Sequence, residues 1–207
     1  MLSRQYIPRG ATLYEVGAKV EHLYFIESGL VSVVKPMQDG RTVEIGSIGR
    51  EGVAVPSAVF DTDHAIMESV VQVPVTALRV NRDDFKERLA SDNELSGILH
   101  RYSGALLDQL TQSAACNTLH SVEHRYSRWL LVAHDSALSN TFPVTHESLA
   151  MLLGVRRASV SSAAVDLRKR GLIQYSHGEL TITDRAGLER MACECYAMIR
   201  DQVEGLR

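Results

Sequence analysis

Residues 145–171 read THESLAMLLGVRRASVSSAAVDLRKRG, and the rest of the chain is best interpreted from this stretch. Thr145 suits the N-cap of a helix whose apolar face ends just before Gly154. Gly154 falls where a tight turn between two helices requires a positive φ. The helix that begins at Arg156 has one face of small and polar residues, which lets it enter a DNA major groove about 12 Å wide. The stretch therefore predicts a helix-turn-helix.

The residues that follow complete a DNA-binding pattern. A basic cluster at residues 168–170 ends the second helix before Gly171, and residues 172–182 predict a β-hairpin wing. An arginine near the start of the second helix can donate two hydrogen bonds to a guanine edge, whereas the wing and the cluster can contact phosphates. The predicted DNA-binding residues are Thr145, Arg156, Arg157, Ala158, Ser159, Ser161, Ser162, Arg168, Lys169 and His177.

The distribution of charge supports this prediction, although the net charge of −3 alone argues weakly against nucleic acid. Residues 145–178 carry five basic and two acidic side chains, whereas residues 1–116 carry 11 basic and 15 acidic ones. The positive charge is therefore concentrated in the segment that the helical pattern already selects.

The N-terminal 80 residues predict β structure. Short apolar runs such as residues 23–26 and 30–34 are separated by turn signals, and Asp39-Gly40 is typical of a hairpin. Many short strands at close spacing favour a roll or a barrel. Helices are predicted from Asn81 onward, where an Asn cap precedes acidic residues.

A long helix is predicted from about Asp92 to Cys116, with a stripe of residues at alternating spacings of four and three. That spacing is typical of a coiled coil, so we predict a dimer interface along the stripe. The alternative is a single amphipathic helix packed on its own sheet. The predicted interface residues are Leu95, Leu99, Tyr102, Leu106, Gln109 and Ser113.

The chain resembles the Crp/Fnr family, which includes the catabolite activator protein, over nearly its whole length. Residues 153–155 and 171–173 match the DNA-binding motif of that family, and residues 10–14 and 23–26 match the start of its β-roll. The resemblance implies an α+β fold with an N-terminal β-roll, a long central dimerisation helix and a C-terminal winged helix-turn-helix. It also implies a homodimer on a near-palindromic double-stranded DNA operator, with RNA polymerase as a partner.

On this resemblance, the chain divides into three parts. Residues 1–91 form a β-roll effector domain, residues 92–120 form the dimerisation helix and hinge, and residues 121–207 form the winged helix-turn-helix domain with an extra C-terminal helix.

The effector pocket departs from the family pattern. Where nucleotide-binding members carry a Gly-Glu pair and an Arg-Ser or Arg-Thr pair, an ungapped alignment places Val55-Pro56 and Ile66-Met67. A buried cyclic phosphate would lack its arginine, so cyclic AMP is not expected as the effector and no cofactor is predicted. One alternative is a different ligand near Thr111 and Gln112; a second is a ligand-free regulator whose pocket is filled by side chains. A third is a cyclic-nucleotide-responsive regulator in which His64 or Arg79 substitutes.

The recognition helix departs as well. This chain has Arg157-Ala158 where the catabolite activator has Arg-Glu, and Ser162 stands where a later arginine is found. The resemblance therefore predicts a different operator, with Arg157 as the leading guanine reader.

The three cysteines, Cys116, Cys193 and Cys195, are odd in number and wrongly spaced for a disulfide framework or a zinc ribbon. One extra helix is predicted from Asp184 to about Val203, and it would place Cys193 and Cys195 about 200° apart around its axis. The expectation is reduced thiols without a metal, with redox or metal sensing as the alternative.

Other classes of function are weakly supported. The chain has no run of about 18 apolar residues and no apolar secretion segment at its start, so a cytoplasmic protein without a membrane partner is expected. His134-Asp135-Ser136 lies at a helix end without a nucleophile elbow, which argues against an enzyme. A protein-binding module that does not bind DNA is the remaining alternative.

Overall fold

The computed structural model describes residues 2–54 and 62–206. The strands of its N-terminal part are β1 (Ser3–Ile7), β2 (Thr12–Tyr14), β3 (His22–Pro36), β4 (Thr42–Ile48) and β5 (Glu68–Asn81). They form an antiparallel five-stranded sheet in the order β1-β5-β3-β4, with β2 also paired to β5.

The two long strands give the sheet its rolled shape. β3 and β5 pair from His22 opposite Asn81 to Val34 opposite Glu68, with register shifts between Ile26 and Val31. Such irregularities bend a strand and increase its twist. Gly29 lies at this bend with a φ of 92°, and a Cβ there would lie 2.1 Å from the carbonyl oxygen of Pro74. The predicted β-roll is confirmed.

Three helices follow, each begun by a side-chain cap. They are α1 (Arg82–Ser91), α2 (Asn93–Leu119) and α3 (Val122–Ala137). The side chains of Asn81, Asp92 and Ser121 accept hydrogen bonds from backbone N–H groups in the first turns. These caps satisfy donors that have no partner within their own helix, which fixes where each helix begins.

The C-terminal part is a winged helix-turn-helix followed by two short helices. Its elements are β6 (Thr141–Pro143), α4 (His146–Leu153), α5 (Arg157–Lys169), β7 (Ile173–Ser176), β8 (Glu179–Ile182), α6 (Arg185–Met191) and α7 (Cys195–Gly205). The small sheet has the order β6-β8-β7. The single helix predicted from Asp184 is wrong, because it breaks between Met191 and Cys195.

The roll and the winged helix share a hydrophobic core. Leu30 and Val34 of β3 belong to the same buried cluster as Trp129 of α3. The Trp129 indole N–H donates to a carboxylate oxygen of Glu44 at 3.2 Å, and the Ser32 hydroxyl donates to the same oxygen. Burial raises the pKa of Glu44, against the lowering effect of these donors and of Arg128. A buried polar contact therefore holds α3 against β4.

The predicted dimer stripe on α2 faces the chain itself, which corrects the interface prediction. The five residues from Leu99 to Ser113 in that stripe are at most 9% exposed within one chain, and Leu95 is half-buried. The roll covers the N-terminal end of the stripe, and α7 covers the Gln109 end. The buried residues are Leu99, Tyr102, Leu106, Gln109 and Ser113. The spacing identifies a buried face correctly, but it cannot show what covers that face.

Within the described residues, no helix is long and apolar enough to cross a membrane.

Candidate nucleic-acid interface

The helix-turn-helix is built by a cap at one end of α4 and a left-handed turn at the other. The Thr145 hydroxyl accepts the backbone N–H of Ser148 at 3.1 Å, and the Ser148 hydroxyl accepts that of Thr145 at 3.2 Å. Gly154 ends α4 with a φ of 64°, a conformation that costs other residues about 1–2 kcal/mol. The turn points α5 across α4, as predicted.

Arg125 is a further positioning residue that the sequence did not reveal. Its guanidinium is buried and donates to the backbone carbonyl of Leu153, the last residue of α4. A charged donor satisfies a carbonyl that the helix leaves free. The sequence gives no signal for this role, because an arginine in the amphipathic helix α3 is normally expected at the surface.

Helix α5 presents two different faces. Its apolar side is buried in the winged-helix core through Val160, Ala163, Ala164 and Leu167. Its opposite side exposes Arg157, Ala158 and Ser162 to solvent. These three are predicted DNA-binding residues, and their side chains are the ones that a base edge would meet first if α5 lay in a major groove.

Two of the predicted DNA-binding residues are less accessible to DNA. Ser159 and Ser161 are only half-exposed, and the Ser161 hydroxyl lies 3.1 Å from Nδ1 of His146 in α4. The His146 ring also packs edge-on against Tyr175, with ring centroids 4.9 Å apart. Burial, with a smaller contribution from the charge of Arg157, lowers the pKa of His146. Ser161 is therefore tied to the helix-turn-helix scaffold.

Arg157 has an intramolecular partner in this structure. Its Nε lies 3.5 Å from a carboxylate oxygen of Glu147 on α4, and the two side chains are 70% and 80% exposed. An exposed ion pair of this kind contributes about 0–1 kcal/mol. Glu147 therefore orients the arginine without burying it.

The wing and the end of α5 flank this face. Residues His177 and Gly178 connect β7 to β8 with φ values of 50° and 85°, as a two-residue hairpin with positive φ at both positions requires. His177 is exposed at the tip. Arg156, Arg168 and Lys169 are exposed too, so the charged predicted contacts all lie at the surface.

The predicted effector pocket is not assembled by the residues that the structure describes. Val55 and Pro56 lie outside the described residues. Ile66 and Thr111 are exposed, and Gln112 donates to the sulfur of Cys195 at 2.9 Å. Met67 packs at the edge of the roll core. Gln112 therefore belongs to the cysteine region.

The cysteines lie together. Cys116, at the end of α2, is 3.6 Å from Cys193, and Cys195 is 3.5 Å from Nδ1 of His120. A hydrogen bond with Cys193 lowers the pKa of Cys116, with burial opposing this and Arg128 contributing to it. The expectation that Cys193 and Cys195 point apart on one helix is wrong, because residues 192–194 interrupt the helix. The missed signal is the four-residue spacing of Cys116 and His120, a spacing that brings two side chains together at the end of a helix.

The trio His134-Asp135-Ser136 serves a structural role. Asp135 accepts hydrogen bonds from Arg185 at 2.6 Å and from Tyr196 at 2.8 Å. The Ser136 hydroxyl donates to a backbone carbonyl of its own helix. The serine is not aligned with the histidine as a nucleophile would be, and the trio instead ties α3 to α6 and α7.

The fold and this surface define a winged-helix DNA-binding protein with a β-roll domain at its N-terminus. Residues 124–191 match the model of the Crp-like helix-turn-helix domain, and residues 4–92 match that of the cyclic nucleotide-binding domain. The transcriptional regulator LdrP of Thermus thermophilus is 31% identical over 198 residues, which cover 89% of this chain and 94% of that protein.

Two further proteins are similar over most of the chain. The CRP-like cAMP-activated global transcriptional regulator of Mycobacterium tuberculosis is 27% identical over 192 residues, covering 89% of this chain and 86% of that protein. The crystal structure of a CRP-family transcriptional regulator from Thermus thermophilus superimposes with a TM-score of 0.75 at 25% identity, covering 91% of this chain and 96% of that one. The chain belongs to the Crp/Fnr family and is a DNA-binding transcription regulator.

Proposed function

We propose that this regulator binds a near-palindromic operator as a homodimer, with α5 of each copy in successive major grooves. The observation that carries the proposal is the exposed face of α5, where Arg157 stands beside small side chains between a wing and a basic helix end. Arg157 reads a guanine, and Arg168 and Lys169 contact phosphates. A two-fold symmetric protein requires a two-fold symmetric site.

The dimer forms through the side of α2 that one chain leaves uncovered. Six exposed residues recur there at spacings of four and three, roughly 150° around the helix from the buried stripe. They are His100, Gly104, Leu107, Thr111, Ala114 and Thr118. Leu107 is 64% exposed, and Gly104 has open space around its Cα, which permits close helix approach.

The dimer can be tested separately from DNA binding. Leu107→Glu places a charge in the proposed interface, so we expect dissociation in analytical ultracentrifugation. Ile98→Glu is the matched control, because Ile98 is 44% exposed on the opposite side of α2. A Leu107→Glu protein that stays dimeric would place the interface elsewhere.

The operator is found by selection from a random DNA pool. We expect enrichment of a near-palindrome whose half-sites are one helical turn apart, and an affinity that falls steeply with salt. Binding that is independent of salt, or enriched sites without symmetry, would contradict the proposal. Adding RNA polymerase to a template that carries the selected site then measures the effect of the regulator on transcription. The proposed location of the regulator is the cytoplasm.

Cyclic AMP is not the proposed effector of this chain, although the Mycobacterium tuberculosis relative is described as cAMP-activated. Support comes from Ile66-Met67, which supplies no arginine where the ungapped alignment places the phosphate contact. A thermal-shift titration with cyclic AMP is expected to leave the midpoint unchanged, and a large upward shift would defeat this part of the proposal.

A further inference from the structure

Four side chains of types that commonly bind metals converge where the central helix meets the winged-helix domain. Cys116 lies in the last turn of α2 and His120 caps that helix, whereas Cys193 lies between α6 and α7 and Cys195 begins α7. One potential ligand atom from each residue lies within 4.8 Å of all the others. The three cysteines are buried and form a small cluster of their own.

The distances fit one tetrahedral ion. Sulfur ligands about 2.3 Å from an ion, and a nitrogen ligand about 2.0–2.1 Å from it, lie roughly 3.8 Å (S–S) and 3.6 Å (S–N) apart at tetrahedral angles. The observed Sγ–Sγ distance between Cys116 and Cys193 is 3.6 Å, and Nδ1 of His120 lies 3.5 Å from Sγ of Cys195. These two separations match a tetrahedral site, and the remaining ones are at most 4.8 Å.

The surrounding residues also match a metal site. Nε2 of His120 lies 3.3 Å from a carboxylate oxygen of Glu194, so one ring nitrogen meets a carboxylate while the other faces the sulfurs. Metal-bound histidines regularly donate their second N–H in this way. The Gln112 amide donates to Cys195 at 2.9 Å, which orients that sulfur.

Two buried arginines supply compensating charge. Three thiolates around a dication leave one negative charge, and the charges of Arg125 and Arg128 act on Cys116. Both side chains are at most 7% exposed, and among the described residues their Nε groups have no hydrogen-bond partner. Buried cations without full hydrogen bonding are stabilised by a neighbouring anionic group.

We propose that Cys116, His120, Cys193 and Cys195 bind a single Zn²⁺ in a tetrahedral site. Thiolate and imidazole ligands at this geometry select zinc among common divalent ions. Each thiol that binds as a thiolate releases its proton to solvent. The compact spacing of the four ligand atoms favours one ion over an iron–sulfur cluster, which would have to fit its own iron and sulfide atoms between them.

The site has a consequence that rests on the proposed function. It links the last turn of α2, next to the hinge at His120, to the segment that follows the winged helix. The ion therefore fixes the orientation of the DNA-binding domain on the dimer helix. Removing it frees that hinge, and we expect about a tenfold loss of affinity for the selected operator, within the usual range of allosteric coupling.

The test begins with binding of the metal alone. The full-length protein, purified under reducing conditions, is titrated with Co²⁺ and with Zn²⁺ while the metal content is measured by mass spectrometry. We expect one ion per chain, the intense visible bands of tetrahedral cobalt with sulfur charge transfer, and displacement of cobalt by zinc.

Variants then identify the ligands. The double variant C193S/C195S should lose the cobalt spectrum while its circular dichroism shows a folded chain. Glu194→Gln should weaken zinc binding about 10–100-fold, because it removes only the partner of His120. His64→Ala is the matched control, since this exposed histidine lies in the roll and, among the described residues, belongs to no group of potential metal ligands.

Three outcomes would overturn the site: a folded wild-type protein that binds no cobalt, a cobalt spectrum unchanged in C193S/C195S, and iron with inorganic sulfide in place of zinc. Operator binding is measured separately with the zinc-loaded and the chelated protein. Failure of both forms to bind DNA would refute the proposed function and leave the metal site standing. Equal affinity of the two forms would refute the coupling alone.

Discussion

The winged-helix surface and the cysteine–histidine cluster differ in two respects: how far apart their residues lie in the chain, and whether their side chains are exposed. Residues 145–182 are contiguous, and their charged side chains are exposed at the tip of α5 and on the wing. The cluster joins residues 116–120 to residues 193–195, and its sulfurs are buried. An exposed surface acts by contacting a partner, whereas a buried cross-link acts by fixing geometry. On the two proposals, the winged-helix surface determines which DNA is bound, and the cluster determines how firmly the DNA-binding domain is held on α2.

Helix α3 connects the two regions. Near its start, Arg125 donates to the carbonyl that ends α4, and one turn later Trp129 donates to Glu44 of the roll. Arg128 lies between, with its charge acting on both Glu44 and Cys116. Substitutions in α3 should therefore affect the whole assembly, whereas substitutions on the exposed face of α5 should affect DNA binding alone.

The largest effect is expected for Trp129→Ala. The indole is 1% exposed in the core that the roll shares with the winged helix, so its loss should cost about 3–5 kcal/mol of unfolding free energy. Because Trp129 is the chain's single tryptophan, urea unfolding has to be followed by circular dichroism. Trp129→Phe keeps most of the volume and should cost less. A loss below about 1 kcal/mol for the alanine variant would mean that the two domains do not depend on this contact.

The next largest effect belongs to the reading surface. Arg157→Ala should cost about 1–3 kcal/mol of binding to the selected operator and relax one base position, with stability unchanged. Arg168→Ala is the control, because loss of a phosphate contact weakens all sequences alike and lowers the salt slope by about one. Competition binding against random duplexes separates the two patterns. Equal losses of Arg157→Ala on both DNAs would remove it from base reading.

A smaller effect is expected at Gly154, in the turn that sets the orientation of α5 relative to α4. Gly154→Ala should cost about 1–2 kcal/mol in unfolding free energy, because a φ of 64° is unfavourable for alanine. The new methyl group would also lie 3.2 Å from the Val43 side chain of the roll. Gly97→Ala, inside α2, has room for its methyl group and should stabilise by about 0.5–1 kcal/mol. Opposite signs for the two variants in one denaturation series are the expected result.

The sequence was sufficient wherever structure depends on neighbours in the chain. The caps at Asn81 and Thr145 and the left-handed turn at Gly154 were predicted correctly, because a cap or a turn is satisfied within a few residues. The apolar runs at residues 23–26 and 30–34, which both lie in β3, likewise predicted the roll.

The sequence did not predict features that depend on contacts with a segment far away in the chain. The stripe that includes Leu99 and Leu106 is covered by the roll and by α7, which periodicity cannot reveal. The break at Ala192 brings Cys193 and Cys195 toward Cys116, although their helical periodicity continues without a proline or glycine. The three-residue strand β6 exists through its pairing with β8. The helix-turn-helix and its exposed face were thus predictable from the sequence, whereas the clustering of the cysteines and His120 was not.

The smallest effect is expected at Glu147 of α4, which pairs with Arg157 on the exposed face of α5. Its carboxylate pairs with Arg157 at 3.5 Å and would face the DNA phosphates, so Glu147→Gln frees the arginine and removes one repulsive charge. Because the pair is exposed, the gain in operator affinity should stay below about 1 kcal/mol, or roughly fivefold, and shrink as salt rises. Combining Glu147→Gln with Arg157→Ala in a double-mutant cycle isolates the pair, since the part of the gain that acts through Arg157 must vanish once that arginine is replaced. A gain of the same size in both backgrounds would show that Glu147 acts through the phosphates alone, and a loss of affinity would show that the ion pair prepares Arg157 for its base.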